Sequence, residues 1–200
     1  MKNGFLIFLL FSFSFSAISQ NTDINILKNI NGNRNKKLDN TFVGISNSVA
    51  PVSIAIPIGV MAVGFIKHDS AIKNKGMFIG ASLVLSVGIT TGLKYIVKRP
   101  RPFVTYPYPI IDKVMSAGDP SFPSGHTTDA FATATSLSIA FPKWYVIAPS
   151  FLWACSAAYS RMDLGDHYPS DVLTGAIIGS GTTYLCYKAN NWLQKRKRQK

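Results

Sequence analysis

An all-α fold, a transmembrane bundle of about five helical spans behind a signal sequence, is the class this sequence predicts. Three observations predict it. Five apolar stretches follow a polar N-terminal region. Only 15% of the 200 residues are charged, against about 25% in an ordinary soluble domain. Lysines and arginines collect at the ends of the apolar runs, as they do in membrane proteins.

Residues 1–19 read as a secretory signal peptide. Lys2 supplies the basic start, Phe5 to Ser16 the short apolar stretch, and Ala17-Ile18-Ser19 a small-x-small cleavage site before Gln20. An uncleaved first anchor is the alternative, with the same topology downstream. The polar segment 20–41 puts Ile24, Leu27 and Ile30 at helical spacing and Gly32 as a stop. It is read as a short interfacial helix on the membrane surface or as a linker. A membrane domain then occupies 42–193, and a basic cytoplasmic tail 194–200.

Within that domain, Phe42–Ile66 and Met77–Val97 exceed the roughly 20 residues a bilayer crossing needs. Thr127–Phe141 is shorter and rich in Ala, Ser and Thr, and Trp144–Tyr159 is strongly apolar. Asp171–Tyr187 carries Gly175, Gly179 and Gly181, which suit close helix contact. Cys155 and Cys186 fall within apolar runs and are expected to be buried free thiols. Tyr106, Tyr108 and Trp144 are expected in interfacial belts.

The chain has 21 Lys and Arg against 9 acids, a net charge of +12, and every acid is an aspartate. Such an excess fits nucleic acid, anionic lipid or a phosphorylated substrate. Nucleic acid is set aside, because the cations flank apolar runs and do not line one soluble surface. With three histidines, two cysteines and no glutamate, ligands for a protein-held metal are scarce. No metal and no other cofactor is expected.

With the mature N-terminus outside, Lys67, Lys73, Lys75, Lys143 and the tail from Lys188 to Lys200 all face the cytoplasm. That obeys the positive-inside rule. The loops 98–123 and 161–170 then face outward, and their cations break the rule unless a site needs them there.

Three segments hold those outward charges: Lys94 to Pro102, Pro123-Ser124-Gly125-His126, and Ser160-Arg161 followed by His167 and Asp171. In a five-span topology all three reach one end of the bundle. The planar fork of arginine matches phosphate oxygens, and lysine adds a point charge. Lys94, Arg101 and Arg161 therefore make an anion site. Ser124 and Gly125 open a helix, where free N–H groups and the helix dipole favour an anion. Fixed positive charge of this kind stabilises a phosphoryl group in transfer. His167 and Asp171 are one helical turn apart, so the carboxylate can set the imidazole tautomer and leave the other nitrogen nucleophilic. His126 can then protonate the leaving oxygen and activate water.

The pattern Lys94-x6-Arg101-Pro102, Pro123-Ser-Gly-His126 and Ser160-Arg161-x5-His167-x3-Asp171 resembles the three-part signature of the type 2 phosphatidic acid phosphatase superfamily. That superfamily includes bacterial acid phosphatases and vanadium haloperoxidases. The resemblance spans Lys94 to Asp171, and the surrounding apolar runs fit the membrane branch. It implies a lipid phosphatase with a phosphohistidine on His167, oriented by Asp171, with His126 as general acid. It further implies that Lys94, Arg101, Ser124, Gly125 and Arg161 hold the phosphate. Lys98 and Arg99 fall outside the spacing and stay out of the predicted site. Members of the membrane branch are usually six-span, so five spans plus a signal is a departure that bears on the first span.

Plainer roles exist for each residue taken singly. Lys94 can snorkel, Arg161 can anchor at the interface, and Asp171 can cap a helix. Asp129, one turn after His126, is either a partner of that histidine or a dipole partner of its helix. The spacing of the motifs together favours the site. The expected partners are a phosphorylated lipid and the membrane, with the active site on the extracytoplasmic side. Rival readings are a soluble secreted acid phosphatase, a vanadate-dependent haloperoxidase, and a phosphate-binding carrier without catalysis.

Overall fold

A computed structural model describes residues 22–33, 35–113 and 118–198; the expected signal sequence lies outside them. The described chain is helical, with no strand. It comprises α1 (22–32), a 3-10 turn at Lys36–Leu38, α2 (Asp39–Ile66), α3 (Ser70–Val97), the single turn α4 (Pro102–Thr105), α5 (Gly125–Ala140), α6 (Trp144–Asp163) and α7 (Pro169–Arg198). Each predicted apolar stretch lies in one of the long helices. Several helices run further than the apolar pattern, because their polar ends are capped or hydrogen-bonded. The Asp69 side chain, for instance, accepts from the amides of Ala71 and Ile72 and starts α3 seven residues before Met77.

The bundle carries small and polar residues inside and large apolar residues outside. α5 is the central helix, packed against α2, α3, α6 and α7. Its Ala130 and Ala134 meet Val49, Ala154 and Ala157. Buried hydroxyls pair between helices, as Thr133 with Ser53 at 2.9 Å and Thr90 with Thr128 at 3.2 Å. Ile54, Ile58, Val84, Leu152, Leu173 and Leu185 point outward. Water would penalise that arrangement, whereas lipid permits it, since helix contacts in a bilayer rest on close packing and hydrogen bonds.

Among the described residues, two stretches, Lys36–Ile66 and Ser70–Thr105, are long and apolar enough to cross a membrane. Only 22% and 33% of their apolar windows are buried, unlike the core helix of a soluble protein. α5 has 16 residues, about 24 Å at roughly 1.5 Å per residue, and is shielded by its neighbours. Cys155 differs from expectation: it is a free thiol on the exposed face of α6, and Cys186 is half-buried. A thiol is apolar enough for an outward face, so an apolar run did not require its burial. Tyr108 and Trp144 are exposed, but Tyr106 packs in a cluster with Ile24, Leu27, Ile110 and Tyr168.

That cluster shows where α1 goes. Ile24 and Leu27 are buried against Ile110 and Tyr168, so this part of the helix faces protein. Asn31 secures the other end, donating to the carbonyls of Ile111 and Asp163 and accepting from the Ile111 amide. The segment read as an interfacial helix or a linker is thus a helix strapped across the end of the bundle where α6 stops and α7 starts.

Candidate active site

Local geometry at the helix ends collects the three motifs. Lys94 is in the last turn of α3, which Lys98 terminates in a left-handed conformation (φ 49°). The chain then turns, and Arg101 enters the end of the bundle. Ser124 is the N-cap of α5, its hydroxyl turned to Thr127, so the first-turn amides of α5 face the same end. Arg161 lies in the last turn of α6, and Gly165 (φ +79°) reverses the chain just beyond the helix end. A side chain there would strike the Ile111 carbonyl, which leaves only glycine. The amides of Asp166 and His167 both donate to the Arg161 carbonyl, which folds His167 back over the site.

Close packing sets the distance between the two histidine segments. A Cβ on Gly175 would lie 2.7 Å from the Ser124 carbonyl oxygen, and one on Gly179 would lie 2.9 Å from the Ala132 amide. These two glycines, one turn apart, let α7 lie directly on α5. Gly181 faces open space and has no such role. The Ser124 amide also donates to the Asp171 carbonyl at 3.1 Å, tying the second motif to the third.

The predicted cations converge, and aspartates lie between them. Lys94 Nζ is 2.8 Å from Asp119 Oδ2. Arg101 pairs with both Asp119 and Asp166, and Arg161 pairs with Asp166 and donates to Ser46 of α2. The order is Lys94, Asp119, Arg101, Asp166, Arg161: three cations and two carboxylates in a chain. Burial pushes the Asp119 carboxyl up, but Lys94 and Arg101 outweigh it and hold it below the usual carboxylate range. Arg161 is buried, and its Nε–H has no acceptor among the described residues. Such a donor is costly unless something accepts from it.

His167 is fully buried beside this chain. Its Nε2 is 3.5 Å from Asp166 Oδ2, on the side of the cations, and its Nδ1 is 3.7 Å from Asp171 Oδ2. Ser121 lies between the last two groups, 3.3 Å from Nδ1 and donating to Asp171 Oδ2. A proton on Nδ1 completes that relay and leaves the lone pair on Nε2, beside the Asp166 carboxylate that Arg101 and Arg161 share. Burial, reinforced by Arg161 and Arg101, lowers the His167 pKa to about 4 against the opposing pull of Asp171. The ring is therefore neutral at pH 7. His126, half-buried in the first turn of α5, is within electrostatic reach of Arg161, His167, Arg101 and Lys94.

All eight residues of the predicted site thus lie at one end of the bundle, though Ser124 spends its hydroxyl on the helix cap. Sequence reasoning missed Asp119, Asp166, Ser121, Ser46 and Arg99, the last donating to Asp171 at 2.7 Å. Two of these left a signal. With no glutamate available, acids next to the motifs, Asp119 and Asp166, are the natural counter-ions for buried arginines.

The chain is similar to several known proteins. The undecaprenyl-diphosphatase of Sulfolobus acidocaldarius is 28% identical over 90% of this chain and 86% of its own. The undecaprenyl-diphosphatase BcrC of Bacillus subtilis is 29% identical, covering 84% of both chains. The crystal structure of Aquifex aeolicus LpxE superposes with a TM-score of 0.65 at 27% identity, over 84% of this chain and 95% of that one. A transmembrane PAP2-type phosphatidylglycerolphosphate phosphatase from Bacillus subtilis shares the fold, with a TM-score of 0.72 at 24% identity over 94% of each chain. The PAP2 superfamily model matches residues 75–195, which takes in all three motifs and more than half of the sequence: the chain belongs to the PAP2 superfamily.

Proposed function

We propose that this protein hydrolyses a phosphate or diphosphate monoester on a membrane lipid, through a phosphohistidine and without a metal. The observation that carries the reading is the buried His167, whose Nε2 lies 3.5 Å from the Asp166 carboxylate shared by Arg101 and Arg161, at the end of a lipid-facing bundle. Nε2 attacks phosphorus, and the bond to the lipid oxygen breaks as His126, which takes up a proton once the bound phosphate dianion offsets the neighbouring cations, donates that proton to it. Water then attacks the phosphohistidine, His126 takes its proton, and inorganic phosphate leaves. The cations and the Arg161 Nε–H stabilise the phosphoryl oxygens throughout. For the phosphate to meet both arginines, the Asp166 carboxylate must withdraw from between them.

An apolar groove of about 650 Å³ supports a lipid as the substrate. It runs between Ile26 and Ile30 of α1, Met162 of α6 and Leu173 of α7, and it reaches Ser170 beside Asp171. A hydrocarbon chain fits such a lining. Polyprenyl diphosphate is the first substrate to test, because two relatives that cover most of this chain are named for it. Phosphatidic acid, phosphatidylglycerophosphate and a lipid A phosphate complete the set.

The test is phosphate release by detergent-purified protein from that panel, in excess chelator. Release from at least one lipid is expected. No group of three or more metal-ligating side chains forms among the described residues, so chelator should leave the rate unchanged. Loss of activity in chelator with recovery on adding a divalent ion overturns the metal-free mechanism. Lipid binding without release favours a carrier, and halide oxidation dependent on vanadate favours a haloperoxidase.

Topology follows from the same reading: five spans, with the site outside. Lys75 lies 4.5 Å from the Phe141 ring, so the α2–α3 and α5–α6 turns share the end away from the site. In a background with Cys155 and Cys186 replaced by serine, Lys73→Cys should be shielded from an impermeant thiol reagent in intact cells. Tyr108→Cys, on the exposed loop of the site end, should react. Equal labelling of both positions would refute the proposed orientation.

A further inference from the structure

Arg99 falls outside the motif spacing, yet its guanidinium is the hub of a buried polar cluster. Nη1 donates to Asp171 Oδ1 and to the Ser170 hydroxyl, each at 2.7 Å, and Nη2 donates to Asp23 Oδ2 at 2.8 Å. The guanidinium carbon is 3.8 Å from the centre of the Tyr168 ring. Asp23 in turn accepts from the Ser170 amide at 2.8 Å and from the Ser170 hydroxyl, so it caps the first turn of α7. The second oxygen of Asp171 accepts from Ser121 and from the Tyr168 amide. One fork thus stands between two buried carboxylates, and one of these is the group beside His167. Asp23 lies in α1, outside the residues 75–195 that the family model covers.

We propose that Arg99 and Asp23 are positioning residues for phosphoryl transfer: α1 delivers Asp23, Asp23 aims the Arg99 fork, and the fork holds the Asp171 carboxylate that orients His167. This rests on the role proposed above for His167. The guanidinium is planar and its donors are fixed relative to one another, so an acceptor that restrains one nitrogen restrains the direction of the other. Without Arg99, Asp171 loses a charge-assisted hydrogen bond and faces Asp23 with no cation between them. Its pull on the imidazole then varies in direction. Without the Asp23 charge, Asp171 keeps its partner but the partner is free to tilt. The first change is therefore the larger.

The experiment compares Arg99→Gln, Arg99→Lys, Asp23→Asn and Lys98→Gln with the wild type. It reads kcat and KM for lipid phosphate release and the inhibition constant for vanadate. Outer partners that orient a metal-bound histidine are worth about ten- to a hundredfold, and Arg99→Gln should lose a comparable factor in kcat. Asp23→Asn should lose less, in the same direction. Arg99→Lys should fall between Arg99→Gln and wild type, because an ammonium reaches only part of the cluster. Lys98→Gln, at an exposed neighbouring cation, should match wild type. KM and vanadate inhibition should hold in all four, since the cation cradle is intact. Unchanged kcat in both Arg99→Gln and Asp23→Asn overturns the positioning role and leaves the proposed function standing. Vanadate affinity falling in step with kcat also overturns it, because Arg99 would then belong to the cradle or to folding. A wild type that releases no phosphate overturns the role together with the function.

Discussion

His167→Ala should leave no detectable turnover and no covalent phosphoenzyme on any substrate, while His126→Ala should still form the phosphoenzyme from a substrate with a good leaving group. The difference follows from where the two rings lie. His167 places Nε2 beside the Asp166 carboxylate that Arg101 and Arg161 share, with Nδ1 held through Ser121 and Asp171. His126 stands across from it in the first turn of α5. Its loss removes a proton donor and leaves the nucleophile and the cradle. General acid–base help is worth about a hundred- to ten-thousandfold, which sets the expected loss on a lipid alkoxide. A nitrophenolate needs little protonation, so phosphorylation by such a substrate should partly survive. Hydrolysis of the intermediate should be slow, because the group that activates water is gone. Acid-labile phosphohistidine, trapped after brief exposure to nitrophenyl phosphate, is the measurement. A trap in His167→Ala and none in His126→Ala would show that the roles are exchanged.

Arg161→Ala should be the most damaging change among the cations, in activity and in stability together. Arg161 is buried, holds Asp166, and is itself held by Ser46. Removing one donor to a transition-state oxyanion costs about a hundred- to a thousandfold, and this residue also supplies a buried Nε–H with no acceptor among the described residues. Its loss removes one of the two arginines that pair with the Asp166 carboxylate. Breaking a buried pair from one side costs about 3–5 kcal/mol when the remaining charge is left uncompensated; here that is an upper bound, because Arg101 still pairs with Asp166. The double variant Arg161→Ala with Asp166→Ala removes that charge as well. It should recover much of the thermal stability in detergent and none of the activity. Recovery of both would mean that Arg161 serves folding only. The two readouts, an unfolding curve and phosphate release, separate the arginine's structural bond to Asp166 from its work on the substrate.

Much of this site was legible because its signal is local. The spacing of Lys94 to Arg101, the Ser124-Gly125-His126 turn and the Arg161, His167, Asp171 series are each set within one helix end, where covalent geometry alone limits what faces the ligand. The long helices were legible for the same reason, since apolar runs of adequate length must bury their backbone groups in helices. Helix ends were less so. The polar first turn of α3 depends on the Asp69 cap, and α7 continues through the basic run to Arg198 although its apolar part ends earlier.

What the sequence determined by itself, then, was the set of candidate site residues, the helices that carry them and their common end of the bundle. The tertiary structure alone decided their partners. Asp166 joins Arg101 across 65 positions, Asp23 joins Arg99 across 76, and Arg161 joins Ser46 across 115. No periodicity or spacing reports such pairs. They exist because Gly175 and Gly179 let α7 lie on α5 and because Asn31 and Leu27 seat α1 over the end of α6. A buried charge takes whatever opposite charge that packing brings within reach, so the partner of each arginine is fixed only when the bundle closes.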